Sequence, residues 1–291
     1  MDPNRTAFKS YQSPTTRRLV VSKVSISADV LTVEYVAAEL LKIAHSVFHD
    51  QSAMYIHPHM KPRPQPVLLQ SDTELSETLG LSCNNGTQAN MLLCVRVCRL
   101  LSRLRDSSEP LHEILHAFQI LLSHITQLLF SGDLSTLQLR DKVMENMREV
   151  AVRLVKDAQA MMPKELPRWQ TWVLAESVRR AILMSCLIQG VYHGWVRGYC
   201  YHELFIQALP FDVRAGLWVA GSADEWEALL VKDDKQHGFD KATTDLVSFH
   251  EFAFSFAKVP FDPGADSFQR LLLTAHHGKG PVDRALGCLK A

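Results

Sequence analysis

Hydrophobic residues recur at helical spacing over most of the chain. Between 111 and 129, apolar side chains follow one another at intervals of three and four residues, which is the pattern of an amphipathic helix. The same periodicity predicts helices over 29–48, 88–104, 134–162 and 169–195. Sustained alternation of apolar and polar residues, as half-buried strands would show, is missing from the sequence. The pattern therefore predicts an all-α fold, a multi-helix bundle.

Breaks in this pattern divide the chain into three parts. Residues 1–28 are polar, and we expect them to form a flexible N-terminal tail. Residues 29–84 hold the first helix and a connector in which four prolines lie between Pro58 and Pro66, a density that excludes helix. Residues 85–291 carry the other helical patterns and are predicted to form one helical domain.

Composition and charge narrow the classes of function. The chain has 291 residues, enough to bury a large core, and 47% of them are hydrophobic. Lys and Arg together number 31, as do Asp and Glu, so no net charge draws the protein to nucleic acid or membrane. No run of 18 apolar residues predicts a membrane span. The six scattered cysteines are interpreted as reduced thiols of an intracellular protein.

One stretch matches a zinc-protease motif. His112, Glu113 and His116 spell H-E-x-x-H, which on a helix places two imidazoles one turn apart with a carboxylate between them. These three residues fall off the apolar stripe of their helix. The extended signature also fails, because Gln119 and Leu122 stand where Gly and a third His are required. We interpret the motif as a solvated helix face and expect neither a metal nor another cofactor.

Other candidate ligands are weaker still. The histidine pairs His57 with His59, and His276 with His277, have no visible third ligand and are interpreted as surface residues of loops. Four aromatic residues, Trp169, Trp172, Trp195 and Tyr199, are candidates for lining a groove that accepts a ligand or a partner. The alternative is that they pack in the core, because aromatic side chains dominate core packing.

Two opposite charges lie in the middle of an apolar helix face. Glu176 and Arg180 are four residues apart, with Arg179 close by. The apolar residues of that face are Trp169, Trp172, Val173, Leu183, Leu187 and Val191. Because buried charges are costly unless they are paired, we predict a shielded, structural ion pair between Glu176 and Arg180. The alternative is a catalytic carboxylate or an anion-binding arginine.

An ordered series of short motifs carries a resemblance to a known family. It begins with W-x-x-W-V-x-A-E-S-V-R-R at 169–180. The other members are LLFSGD at 128–133, ALPF at 208–211, AGLW at 215–218, SADEW at 222–226 and SFHEF at 248–252. Together they resemble the regulatory domain of fungal zinc-cluster transcription factors, over roughly residues 85–285. The resemblance implies an all-helical fold, and none of its motifs is catalytic.

The chain departs from that family at the DNA-reading element. It contains no C-x-x-C, and its first cysteine is Cys83. The resemblance therefore implies a regulatory domain without its own zinc cluster and without direct contact to nucleic acid. It implies a nuclear transcription regulator of a fungal secondary-metabolite gene cluster that acts through protein partners, such as a DNA-binding transcription factor. A small-molecule effector is compatible with this function.

Three other hypotheses stay open. The domain could serve as a pathway enzyme or a metabolite-binding protein, with Glu176, Arg180, His193 and His202 as its functional residues. A zinc peptidase at the H-E-x-x-H motif is a third hypothesis. The fourth is a truncated relic that competes with a full-length factor. We favour the regulator and expect no enzymatic activity.

Overall fold

A computed structural model of the chain describes residues 24–48, 54–60, 88–105, 108–130, 137–202, 207–214, 216–233, 246–261, 263 and 266–289. These residues form nine α-helices: α1 (Val30–Phe48), α2 (Gln88–Arg105), α3 (Leu111–Phe130), α4 (Leu137–Met161), α5 (Arg168–Arg197), α6 (Ala223–Asp233), α7 (Phe249–Lys258), α8 (Ser267–His277) and α9 (Lys279–Leu289). The predicted all-α class is confirmed.

The longest helix, α5, begins and ends at residues that local chemistry favours. Pro167 precedes its first residue, and its fixed φ of −54° suits a helix entry. Gly198 ends the helix in the left-handed region at φ 72°, where its backbone N–H donates to the carbonyl of Gly194 at 3.1 Å. At α7 the start is a capping box, in which Ser248 and Glu251 satisfy each other's backbone N–H groups.

Four short strands accompany these helices, although the sequence pattern predicted none. The strand β1 (Val24–Ser27) pairs antiparallel with β2 (Tyr199–His202), and β3 (Pro210–Asp212) pairs antiparallel with β4 (Leu246–Ser248). Strands of three or four residues are too short to show a period of two. The pairing of β1 also corrects the predicted tail, since ordered structure begins at least five residues before residue 29. Residues 1–23 lie outside the described residues.

The connector after α1, whose proline density was predicted to exclude helix, packs into the core where the structure describes it. Tyr55 and Ile56 are buried, and Pro58–Met60 form a short 3-10 helix. The Tyr55 hydroxyl lies 2.6 Å from Ser123 Oγ, and the side-chain amide of Gln119 donates to the Tyr55 carbonyl at 3.0 Å. These bonds fix the segment against α3. The proline-rich residues 61–84 lie outside the described residues.

The core lies around α3 and α5. Both helices contact α1 and α4, and α3 also packs on α2. Fifteen of the 20 residues of α3 are buried, so this helix is enclosed on more than one face in its second half. The strand β3 and the helices α6 and α8 cover the N-terminal half of α5. None of the helices described is long and apolar enough to cross a membrane.

Candidate functional site

The two charges predicted to pair on α5 are completely buried and in contact. Glu176 is 0% exposed and Arg180 is 1% exposed. Arg180 Nε donates to Glu176 Oε1 at 3.0 Å, and Arg179 Nε donates to Glu176 Oε2 at 2.8 Å. The backbone N–H of Asp212, on β3, donates to Glu176 Oε2 at 3.2 Å. One carboxylate therefore accepts three N–H groups from two segments of the chain.

Arg180 extends this network to the far end of the sequence. Its guanidinium forms a bidentate pair with Asp266, with Nη2 to Oδ2 at 2.6 Å and Nη1 to Oδ1 at 3.2 Å. Asp266 is also the N-cap of α8, because it accepts the backbone N–H of Phe268 at 3.1 Å. Arg180 Nη1 in addition donates to the Met54 carbonyl at 3.2 Å. A single side chain thus joins α5, α8 and the connector.

Asp212 continues the network on the other side of Glu176. The indole N–H of Trp172 donates to Asp212 Oδ2 at 3.0 Å. Arg214 donates to the same carboxylate through Nε at 2.9 Å and Nη2 at 2.5 Å. Asp212 is buried, so these donors replace the water that its charge would otherwise bind. Trp172, Glu176 and Arg180 therefore project from α5 into one polar seam, here called the α5 network.

Burial and neighbouring charges have opposite effects on the pKa values of Glu176 and Arg180. Burial raises the pKa of Glu176, and Arg179 and Arg180 oppose that effect by favouring the carboxylate. Both oxygens of Glu176 accept from N–H donors, so the geometry holds the ionised form. Burial lowers the pKa of Arg180, but Asp266 and Glu176 outweigh it, and the net pKa is raised. Glu176 and Arg180 are thus held as a hydrogen-bonded ion pair.

Aromatic side chains pack around the α5 network. The rings of Trp172 and Trp226 lie 5.7 Å apart, and the guanidinium carbon of Arg180 lies 4.1 Å from the centre of the Trp218 ring. That stacking is a cation–π contact between two buried side chains. Trp172, Trp218 and Trp226 belong to one buried apolar cluster at the N-terminal end of α5.

His57 lies beside this cluster, so its interpretation as a surface residue was wrong. Its side chain is 1% exposed, and its ring lies 5.1 Å from Trp218 and 6.2 Å from Trp169. Burial, followed by the charges of His59 and Arg180, lowers the pKa of His57 to about 4. Its Nδ1 accepts the backbone N–H of His59 at 3.2 Å. His57 is therefore a neutral core residue at neutral pH.

The H-E-x-x-H residues stay on the outer side of α3. His112 is 48% exposed on its side chain, and Glu113 faces Arg103, with Nη2 and Oε2 3.7 Å apart. His116 is less solvated than predicted, since it is half-buried and its pKa is lowered by that burial. Within the residues described, no group of three or more His, Cys, Asp or Glu could hold a metal ion.

The four aromatic residues proposed for one groove do not come together. Trp172 is buried and Trp169 half-buried at the start of α5, whereas Trp195 is 48% exposed near its end. At 1.5 Å per residue, the 26 positions between Trp169 and Trp195 span about 39 Å. Tyr199 lies beyond the helix, on β2. The four side chains therefore do not line one compact pocket.

The residues of the enzyme hypothesis are also spread out. His193 lies 17 positions after Glu176 on α5, which corresponds to about 25 Å along the axis. The side chain of His202 lies outside the described residues. The structure thus unites Glu176 with Arg180 but separates both from His193.

Asp212 and Asp266 were missed as members of the site in the sequence, and the burial of His57 was not predicted. Asp266 had a usable signal, because an Asp directly after Pro-Gly-Ala and directly before an amphipathic stretch is a typical N-cap. Asp212 and His57 had no signal in the sequence, because their partners come close only when distant segments fold onto α5.

Comparison of the chain with protein-family models, with curated proteins and with solved structures finds no match.

Proposed function

We propose that the protein is a nuclear transcription regulator that acts through protein partners, one of which reads DNA. The regulated genes are those of a fungal secondary-metabolite cluster. The observation that carries the proposal is that three of the motifs on which the family resemblance rests, at 169–180, 215–218 and 222–226, contribute side chains to the α5 network and its aromatic surroundings, next to the residue that follows ALPF.

These motifs are far apart in the sequence. Trp172, Glu176 and Arg180 come from the motif at 169–180, Asp212 directly follows the ALPF motif, and Trp226 closes the SADEW motif. In the fold, Trp172 contacts Asp212 and Trp226, and Glu176 accepts the backbone N–H of Asp212. Unrelated chance matches would have no reason to lie against one another. Their proximity in the fold supports a resemblance to the family over a whole domain, and not only in isolated short motifs.

The same network gives little support to catalysis. A general acid or base must come within hydrogen-bonding distance of a substrate. Glu176 is fully buried, and both its oxygens already accept protein donors. The α5 network is better suited to joining segments of a regulatory domain than to reaching a bound substrate.

The first test is deletion of the gene under producing conditions, with transcripts and metabolites measured in the same cultures. The proposal expects the transcripts of one biosynthetic cluster to fall together. Complementation with His193→Ala and with His116→Ala should restore them as well as the unchanged gene does, because neither histidine has a role in regulation.

The opposite pattern would exclude the regulator. Unchanged transcripts with accumulation of a single intermediate would indicate an enzyme or a carrier of that pathway. A tagged protein that enriches no promoter in chromatin immunoprecipitation would remove the transcriptional function altogether.

A further inference from the structure

A cavity lies beside the C-terminal half of α5, away from the α5 network. It has a volume of about 120 Å³ and is bounded by α1, α5, β2, α7 and α8. Val33, Leu187 and Cys200 contribute to its mostly apolar wall. An engineered cavity of about 150 Å³ in another protein stays dry and binds benzene, so the space suits a molecule of about one ring.

The lining combines apolar groups with a few polar ones and no formal charge. Thr32, Gln207 and His276 supply hydrogen-bonding groups, and no Asp, Glu, Lys or Arg lies among the described residues of the wall. Burial raises the pKa of Cys200, so its thiol stays neutral at neutral pH. Such a wall cannot balance an ionised ligand. A concave, mostly apolar pocket with a few polar groups is typical of small-molecule sites.

The polar groups are held in place by neighbouring elements. The Thr32 hydroxyl donates to Asp29 Oδ2 at 2.5 Å and accepts the backbone N–H of Lys279 at 3.1 Å. Gln207 Oε1 lies 3.1 Å from Nδ1 of His250, on α7. Because Oε1 is turned toward His250, the amide of Gln207 has a defined orientation at the wall. Preorganised polar groups of this kind discriminate between ligands.

Gly190 keeps the cavity open. A Cβ atom placed on Gly190 meets nothing within 4 Å, whereas one on Gly194, a turn later, would lie 2.9 Å from Val33 Cγ2. The space at Gly190 is therefore a local feature and not loose packing along the whole helix. Glycine inside a helix costs about 0.5–1 kcal/mol relative to alanine. At Gly190 no close contact requires glycine, and the space that a side chain would occupy belongs to the cavity.

We propose that this cavity binds a small, uncharged, mostly apolar molecule that carries one hydrogen-bonding group. The Gln207 amide and the His276 imidazole recognise that group, and the apolar wall encloses the rest of the molecule. The proposal does not depend on the transcriptional function, because binding is measured on the purified chain.

The test uses two fluorinated probes, para-fluorophenol and fluorobenzene, with the full chain and ligand-observed fluorine NMR. Both probes should bind the unchanged protein, the phenol more tightly. Gly190→Leu fills the cavity and should weaken both probes by at least about tenfold, which corresponds to about 1.4 kcal/mol. The matched control is Gly287→Leu on α9, another helical glycine with open space around its Cβ, which should bind both probes normally.

Two further variants complete the test. One is needed in case Gly190→Leu does not fold, and the other tests the hydrogen bond of Gln207 to the probe. Ala275→Val narrows the same cavity from α8 and should weaken binding even if Gly190→Leu does not fold. Gln207→Leu should weaken the phenol several-fold and leave fluorobenzene unchanged, since the lost partner serves only the hydroxyl.

Three outcomes would overturn the proposal. The first is that neither probe binds the unchanged protein. The second is that a folded Gly190→Leu or Ala275→Val protein binds both probes as before. The third is that Gly287→Leu loses binding together with Gly190→Leu, because the effect would then not come from the cavity.

Discussion

The two halves of α5 are buried by different chemistry. From Trp169 to Arg180 the helix is held by directional hydrogen bonds and ion pairs to β3, the connector and the N-cap of α8. From Leu183 to Arg197 it is held mainly by apolar side chains packed against α1 and α3, with two glycines in differently crowded places. The polar contacts of this half, from Tyr192 and Arg197 to Asp141 of α4, involve a half-exposed carboxylate. The first half is thus specified mainly by buried charge pairing and the second mainly by the fit of apolar volumes.

This difference predicts different sensitivities along one helix. In the first half, the loss of one partner leaves a buried charge without compensation, and that cost is large. In the second half, the cost of a substitution depends on whether the added or removed atoms fit. The four predictions that follow test this contrast from the largest expected effect to the smallest.

The largest effect is expected for Glu176→Gln. The amide is nearly isosteric, but it places an NH₂ donor against an N–H of Arg179 or Arg180 and leaves both arginines buried with less negative charge. We expect a loss of about 3–5 kcal/mol in the free energy of unfolding, measured by urea denaturation.

Its matched control is Asp157→Asn, which removes the carboxylate of the exposed pair Arg153–Asp157 on α4. That change should cost less than about 1 kcal/mol. Equal effects of the two substitutions would show that the α5 network contributes no more than a surface ion pair.

The second prediction concerns the loss of stability at low pH. Because the pKa of His57 is lowered to about 4 in the folded protein, the unfolded chain takes up this proton first as the pH falls below the ordinary value near 6.5. Stability is therefore complete above about pH 6.5 and is lost as the pH falls toward 4, with about 1–2 kcal/mol from His57 between pH 7 and pH 5.

His124 contributes in the same direction, since burial also lowers its pKa to about 4. Urea denaturation at pH 7 and pH 5 should show that His57→Gln loses less stability on acidification than the unchanged protein. His112→Gln, at an exposed position, should leave the difference as it was. If both variants behaved alike, His57 would not be the buried, neutral histidine described above.

The third prediction compares two glycines one turn apart. Gly194→Ala would bring a methyl group 2.9 Å from Val33 Cγ2 and 3.1 Å from Cys200 Sγ, so we expect a loss of about 1–2 kcal/mol. Gly190→Ala meets no atom within 4 Å and should gain about 0.5–1 kcal/mol from helix propensity. Thermal denaturation of the two variants measures the difference, and the same sign for both would contradict the volume argument.

The smallest effect is expected for Trp195→Ala. This residue is 48% exposed, and its ring lies 5.9 Å from Phe130. Its loss should cost less than about 1 kcal/mol, since mostly exposed side chains contribute little. A loss as large as that of a buried tryptophan, about 3–5 kcal/mol, would mean that the C-terminal half is held as firmly as the other.

The sequence predicted α1 to α5 because their signals are local. A period of three and four residues fixes α3 and α5 closely, and Pro110, Pro167 and Gly198 mark where they begin or end. The pairing of β1 with β2 could not be predicted, because its partners are about 175 positions apart and each strand is too short to show a pattern.

The candidate site was predictable only in part, for the same reason. Glu176 and Arg180 sit four residues apart on one helix face, so their contact follows from helical geometry alone. Asp212 and Asp266 reach them from distant segments. The aromatic residues shared a helix and its vicinity in the sequence, yet the length of α5 separates Trp169 from Trp195.

The sequence by itself thus determined the all-helical class, the position of α5 and the presence of a charge pair that had to be shielded. These features depend on helical period and on the cost of burying charge, which act within a few residues. Only the tertiary structure decided which distant groups satisfy that pair, that His57 is buried, and that space is left beside Gly190. Those features depend on how separate segments pack against one another, and no local pattern encodes that packing.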